Sequence, residues 1–331
     1  MNLKERIEAF GMLGDRINAL KSDEINKYAA IARHENPWFT DDNVKMAFEG
    51  IGTMLDREKL TKWLLPYHIN IEIPKIVGIV MAGNIPLVGF HDLLSVLVSG
   101  HYAAIKTSTK DTYLTNLVIE WLVELAPELK KNISVREKLI DIDAVIATGS
   151  DNTARYFHYY FGKLPNIIRK NRVSVAIIDG KESREELESL GKDVFSYFGL
   201  GCRNVSKVYY PEGYDVKQIF EAFNGYETIL DNHKYKNNYD YHKSIYLINK
   251  TAHLDTGFLL WRDTDDLVSP LSVVYAETYD KKDNLSAKLL GMDEKIQCMI
   301  GHGYIPFGQA QNPEPWDYAD NVDTIKFLST I

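Results

Sequence analysis

Lys75-Ile76-Val77-Gly78-Ile79-Val80-Met81-Ala82-Gly83-Asn84-Ile85-Pro86 is the stretch that decides the fold. After its lysine the run to Ala82 is almost continuously apolar, which suits a strand buried on both faces of a parallel sheet. Gly83-Asn84-Ile85-Pro86 turns the chain, and Leu87 to Val98 reads as a helix. The same unit recurs downstream. Tyr102-Ala103-Ala104-Ile105 is a second strand and Thr112 to Leu125 a second helix. Ala144-Val145-Ile146-Ala147 is a third strand, and Thr148-Gly149-Ser150 turns it into a helix from about Asn152 to Phe161. Three successive strand–turn–helix units predict an α/β fold with a doubly wound parallel sheet. Ligands in such sheets bind beyond the carboxyl ends of the strands.

Upstream of this core, residues 1–65 read as helical. Ile7, Phe10, Met12, Leu13 and Ile17 recur at near-helical spacing, as do Ile25, Tyr28, Ala29 and Ala32, and Pro37 breaks the pattern. Downstream a second cycle begins with the strand Val173-Ser174-Val175-Ala176-Ile177-Ile178. A helix (183–198), a glycine-rich turn, a strand (205–210) and a helix (Val216 to Phe223) follow. His242 to Ile248, Gly257 to Trp261 and Leu271 to Ala276 are further strand candidates. These units predict two domains, 1–170 and 171–305, with a tail, 306–331, too irregular for a core element of its own and packing back on the first domain.

The bulk properties exclude several classes. A net charge of −8 over 331 residues gives no footprint for a phosphate-backbone partner, so no nucleic acid is expected. Two cysteines make no disulfide framework, and the charged amphipathic start is not a signal peptide, so a reducing cytoplasm is expected. No apolar run reaches the ~18–20 residues of a membrane helix. No residue pattern predicts a metal.

Chemistry concentrates at turns. Gly201-Cys202-Arg203-Asn204 follows a helix and a Gly-Leu-Gly turn and precedes a strand, so substrate can approach the thiol closely. Helix N-termini and cationic neighbours such as Arg203 favour the nucleophilic thiolate. The plain alternative is a small buried hydrophobe. Three strand ends carry Asn84, Lys106 and Gly149-Ser150. Singly, these are a turn former, a surface charge and a helix N-cap. Together they rim one sheet edge and point to a nucleotide, with Ser150 opening a helix whose N–H groups can meet a pyrophosphate. The Gly-x-Gly-x-x-Gly fingerprint is absent after the first strand. His91, on the helix after Asn84, reads as a packing residue, and Cys298 as a core residue of an amphipathic helix over 295–300.

Val80-Met81-Ala82-Gly83-Asn84-Ile85-Pro86, Ile105-Lys106-Thr107-Ser108, Ala147-Thr148-Gly149-Ser150 and Gly201-Cys202 fall in the order found in the aldehyde dehydrogenase superfamily. Gly83 to Asp92 and the ending Trp316-Asp317-Tyr318-Ala319-Asp320 most resemble acyl-CoA reductases of the LuxC type. The resemblance covers about residues 70–330. It implies two doubly wound domains with the active site between them. It implies that Cys202 forms the thioester, and that the Asn84 amide with the Cys202 N–H holds the oxyanion. Lys106 corresponds to the lysine on the adenosine ribose, Gly149 and Ser150 to the pyrophosphate turn, and Asp266 to the acid on the nicotinamide ribose. In place of the phenylalanine that usually follows that acid stands Val268.

Two departures refine this. Hydrolytic members place a water-activating glutamate where Ile168 stands here, which favours acyl transfer with CoA over hydrolysis. Thr109 stands where an acidic residue often follows the ribose lysine, with Lys110 beside it, which favours NADP(H) over NAD(H). The expected activity is NAD(P)H-dependent reduction of an acyl-CoA to an aldehyde. The alternatives are an acyl-phosphate reductase of the glutamyl-phosphate type, a CoA-acylating aldehyde dehydrogenase, or an idle scaffold member of the superfamily. No match to the oligomerisation hairpin of many members is found, so a homo-oligomer stays open.

Overall fold

In the computed structural model the decisive stretch forms β1 (Ile76–Val80), the centre of a five-stranded parallel sheet. The structure describes residues 1–69 and 71–331. Four helices precede that sheet: α1 (Leu3–Asn18), α2 (Ser22–Glu35), α3 (Asp41–Met54) and α4 (Arg57–Leu64). Asn2, Thr40 and Asp56 cap α1, α3 and α4 by accepting a backbone N–H of the first turn. The strand–turn–helix units follow as β1, α5 (Phe90–Ser99), β2 (Tyr102–Lys106), α6 (Thr112–Leu125), β3 (Ile133–Val135), β4 (Ala144–Thr148), α7 (Asp151–Phe161) and β5 (Asn166–Arg169). Strand order is β3-β2-β1-β4-β5, so the chain starts in the middle and winds outward both ways. Phe10, Leu13, Phe48, Leu60 and Trp63 of the helices share one core with Val77, Ile79, Ile105, Ala144 and Ile146 of the strands.

The second unit carries β6 (Val173–Ile177), α8 (Arg184–Phe195), β7 (Val205–Pro211), α9 (Lys217–Phe223), α10 (His233–Ile248), β8 (Leu254–Asp255), β9 (Leu260–Asp263), β10 (Val273–Tyr279), α11 (Lys282–Leu290) and β11 (Ile296–Gly301). Its sheet runs β11-β6-β7-β10-β9-β8, parallel except for the two-residue edge strand β8. The chain divides into Met1–Asn171 with Pro313–Ile331, and Arg172–Asn312. Among the described residues, no helix is long and apolar enough to cross a membrane.

Three sequence expectations need correction. His242–Ile248 is not a strand but the end of α10. Asn232 accepts from the Lys234 and Tyr235 amides and starts the helix, and Tyr235, Tyr239 and Tyr246 fall on one buried face at helical spacing. Cys298 lies in no helix but in β11, an edge strand whose apolar run is mostly buried and which pairs in parallel with β6. It is 5% exposed, a core residue of a different element. The tail is less irregular than its Pro-rich sequence suggests: α12 (Thr324–Leu328) buries Ile325 and Leu328 fully in the core of the first unit, and residues 306–312 belong to the second. Strands β3 and β5, too short and polar for a periodic signal, are additions to the sequence reading.

Candidate active site

In the first unit the strand register puts the selected positions on one line. Val80 pairs with Lys106 on one side and Ala147 on the other, and Ala147 pairs with Ile168. The row Lys106–Val80–Ala147–Ile168 therefore crosses the sheet at its carboxyl edge. The turns carrying Asn84, Thr109 and Gly149-Ser150 leave the sheet just beyond that row. Strand order reverses at β1, flanked by β2 and β4, so this edge is the topological switch point where open α/β sheets bind ligands.

The turn after β1 is pinned at both ends. Asn36, 4% exposed in the link between α2 and α3, donates its side-chain N–H to the Gly83 carbonyl at 2.9 Å. A Cβ on Gly83 would stand 2.5 Å from Ser108 Oγ and 3.2 Å from Lys110 Cβ, so the β1 and β2 turns touch and only glycine fits. At the far end the Leu87 amide donates to Asp111 Oδ2 at 2.7 Å. Between these anchors Asn84 is exposed. Lys106, Thr109 and Lys110 are exposed too. Glu35, from α2, accepts the Thr112 and Tyr113 amides at 2.8 and 2.9 Å and so caps α6, a cap the local sequence does not reveal. Ser150 caps α7, its Oγ accepting the Thr153 amide at 3.3 Å, and Gly149 has no room for a Cβ beside Phe157 and Thr153. Ile168 is half-buried on β5. His91 packs between Trp63 and Tyr318, its Nε2 2.8 Å from the Pro315 carbonyl.

In the second unit the cysteine turn sits at the amino edge of its sheet, because Cys202 precedes β7 and its carbonyl accepts from Ser174 Oγ, on the second residue of β6, at 3.0 Å. Asn204, 3% exposed, ties the turn down. Its Oδ1 accepts the Gly201 amide at 2.8 Å, and its Nδ2 donates to the carbonyls of Ser196 (2.8 Å) and Asp193 (3.1 Å) at the end of α8. Just upstream, Tyr197, Phe198 and Gly199 are consecutive left-handed residues, φ 51, 58 and 79°, a strained approach for the two aromatics. Arg203 donates to the Ala310 carbonyl at 2.6 Å. Asp193 accepts the Gly308 and Ala310 amides at 2.6 and 2.9 Å, and burial pushes its carboxyl up to about 6. Cys202 itself is half-buried.

Asp266 lies in the loop after β9 and is exposed, its carboxylate accepting from Thr264 Oγ1 at 3.3 Å. That loop is anchored by Lys207, a lysine that sequence reading missed. Its fully buried side chain donates to the Thr264 carbonyl (2.5 Å), the Asp266 carbonyl (3.0 Å) and Glu277 Oε2 (2.8 Å). Burial lowers its pKa, against the pull of Glu277. The signal was present, a lysine inside a strand of hydrophobic residues, where only a paired charge is tolerated. At the carboxyl ends of β6 and β11, His302 bridges Asp179 at 3.2 Å and Glu186 at 3.1 Å, and both carboxylates raise its pKa.

The structure resembles P. syringae AldA indole-3-acetaldehyde dehydrogenase, solved with NAD+ and IAA, at a TM-score of 0.66 and 12% identity, covering 91% of this chain and 72% of that one. It resembles aldehyde dehydrogenase 21 from Physcomitrella patens, solved with succinate, at 0.65 and 12%, covering 91% and 74%. It resembles a Bacillus cereus aldehyde dehydrogenase, solved with NAD+, at 0.59 and 15%, covering 91% and 72%. At these identities the likeness establishes the fold. A comparison with curated protein sequences gives no match. The model of the acyl-CoA reductase (LuxC) family matches residues 19–239, a stretch that includes Asn84, Lys106, Thr109, Gly149, Ser150 and Cys202 and ends before Asp266. The chain thus belongs to the acyl-CoA reductase (LuxC) family, oxidoreductases on the aldehyde dehydrogenase fold.

Proposed function

We propose that this protein reduces an acyl-CoA to an aldehyde through a thioester on Cys202, with NADPH as reductant. The observation that carries the reading is the cysteine turn: a half-buried thiol whose backbone is fixed by Asn204 and Ser174, in a chain of this family. The Cys202 sulfur attacks the acyl carbon, the C–S bond to CoA breaks, and CoA leaves as its thiol. The Asn84 amide and the Cys202 N–H hold the oxyanion, each such donor giving about 3–4 kcal/mol in other enzymes. When bound, the nicotinamide would supply the hydride that reduces the thioester, and a proton from solvent completes the thiohemiacetal on Cys202. Breaking the Cys202 C–S bond then releases aldehyde and returns the proton to the thiol.

The residues present fit a dinucleotide. The switch-point edge carries glycines at both turns with no room for a Cβ, an exposed Lys106 and the capped start of α7. Lys106 would hold the adenosine ribose, the α7 N-terminus the pyrophosphate, and Asp266 the nicotinamide ribose. Thr109, Lys106 and Lys110 favour a 2′-phosphate. Glu35 opposes it, but its charge is already engaged by two backbone amides of α6. Ile168 gives no base for water, so the acyl-enzyme waits for hydride or for a thiol.

The test is nucleotide consumption against a ladder of straight-chain acyl-CoAs, with acyl phosphates as controls and both NADPH and NADH. Higher kcat/KM with NADPH and acyl-CoA is the expected result. Labelled acyl-CoA should leave a hydroxylamine-sensitive label on the wild type and none on Cys202→Ala, which still binds nucleotide. A label that survives in Cys202→Ala refutes the thioester, and faster turnover of acyl phosphates refutes the substrate class.

A further inference from the structure

We propose that Asp111 is a positioning residue for Asn84: by gripping the Leu87 amide it fixes the turn that presents the Asn84 side chain. The proposal rests on the oxyanion role given to Asn84 above.

Asp111 occupies the N-cap position of α6, yet its carboxyl does not cap the helix. Glu35 accepts the Thr112 and Tyr113 amides instead, which releases Asp111 from the usual duty of an aspartate at that position. Its Oδ2 accepts the Leu87 N–H at 2.7 Å, 24 positions away in sequence, and its Oδ1 has no hydrogen-bond partner. The side chain is buried, 2% exposed.

What it grips is a strained residue. Leu87 has φ 56°, the left-handed region that a residue with a Cβ enters at a cost of about 1–2 kcal/mol. Such a conformation persists only where its surroundings over-determine it. Only Ile85 and Pro86 separate Leu87 from Asn84, and the proline ring fixes one of the intervening φ angles. Asn36 holds Gly83 on one side of Asn84, and the Asp111–Leu87 bond holds the turn on the other. Burial, with Glu35 nearby, raises the Asp111 pKa well above the usual carboxylate range. A carboxyl and an amide both offer an oxygen acceptor to the Leu87 N–H, which makes asparagine the conservative replacement.

The experiment is a double-mutant cycle on the acyl-CoA turned over best in the ladder above. Asn84→Ala, Asp111→Ala, the double variant and Asp111→Asn are compared for kcat, for KM of acyl-CoA, and for the single-turnover rate of CoA release. Positioning predicts that Asp111→Ala lowers kcat and CoA release roughly 10- to 100-fold, the scale of a misplacement of about 1 Å. KM should change less than threefold. The double variant should be no slower than Asn84→Ala alone, since the turn then has no amide to aim. Asp111→Asn should stay within about threefold of wild type. Where Asp111→Ala does not fold, Asp111→Ser, whose hydroxyl falls short of the amide, replaces it in the cycle.

Losses that multiply in the double variant overturn the proposal, as does an Asp111→Ala enzyme of unchanged kcat. In both cases a slow Asn84→Ala enzyme leaves the oxyanion reading standing. A fast Asn84→Ala enzyme overturns that reading and the positioning role with it.

Discussion

Replacing Asn204 tests whether the cysteine turn is held by the hydrogen bonds described. Asn204→Ala removes the acceptor of the Gly201 amide and the donor to Ser196 and Asp193, all at a position 3% exposed. A hydrogen bond contributes about 0.5–1.5 kcal/mol net, and a buried partner left without one costs roughly 1–3 kcal/mol. The two 2.8 Å bonds dominate, giving about 2–4 kcal/mol of lost stability, or roughly 3–6 °C in Tm for a chain of this length. Asn204→Asp sharpens the test. The aspartate keeps the acceptor for Gly201 but aims a charged oxygen at the carbonyls of α8, so at neutral pH it should be no more stable than the alanine variant. Stability is read by urea unfolding, and the turn's integrity by the rate of Cys202 acylation, which should fall at least tenfold in both. An Asn204→Ala protein within 0.5 kcal/mol of wild type, or an Asn204→Asp protein clearly more stable than it, would refute the reasoning.

Arg169 donates to Asp92 at 2.6 and 2.5 Å and to Thr324 at 3.2 Å, with both charged side chains buried; Arg169→Met should cost about 3–5 kcal/mol in urea unfolding, and Asp92→Leu added to it should recover most of that. His101 is fully buried with its Nδ1 accepting from the Lys75 amide and its Nε2 donating to the Leu328 carbonyl, and burial lowers its pKa. Its contribution to stability is therefore complete above the unfolded pKa of about 6.5 and lost as pH falls below that, so His101→Gln should flatten the acid limb of a stability–pH profile. With aldehyde and NADP but no CoA, the enzyme should not sustain turnover, because Ile168 cannot activate water; continuous release of free acid, followed by titration, would contradict this.

The strand–turn–helix core was legible because its signals are local. A continuous apolar run needs no partner to be read as a buried strand, and Gly83, Gly149 and Ser150 mark turns through their own backbone preferences. What holds those turns was not legible, since it comes from far along the chain. Asn36 reaches Gly83 across 47 positions, and Glu35 reaches the start of α6 across 77. In isolation each is an ordinary polar residue at the end of α2. The error at His242–Ile248 has the same root. Ile245, Tyr246, Leu247 and Ile248 suit a strand by composition, and only the cap at Asn232 with the buried tyrosine face decides for helix.

The candidate residues lie at opposite edges of the two sheets, which the rule for open α/β sheets does not anticipate. In the first sheet the switch point is at the carboxyl edge, and every candidate nucleotide contact of that unit is there. In the second sheet the carboxyl ends of β6 and β11, where strand order also reverses, carry His302 hydrogen-bonded between Asp179 and Glu186. The cysteine stands at the other edge, before β7. It therefore opens no helix, and the cation beside it in sequence, Arg203, is engaged by the Ala310 carbonyl. Of the two local devices that sequence reading invoked to favour the thiolate, the helix N-terminus is not at this turn, while Arg203 keeps its charge and is oriented by its bond to the Ala310 carbonyl. What the fold supplies at Cys202 is placement: a turn fixed by Asn204 to α8, by Ser174 to β6, and by Arg203 to the segment at Ala310 that Asp193 also holds. In the proposed mechanism the acylation rate should therefore fall more with substitutions that loosen the turn, at Asn204 or Asp193, than with Arg203→Gln, which removes the charge and keeps a donor for Ala310.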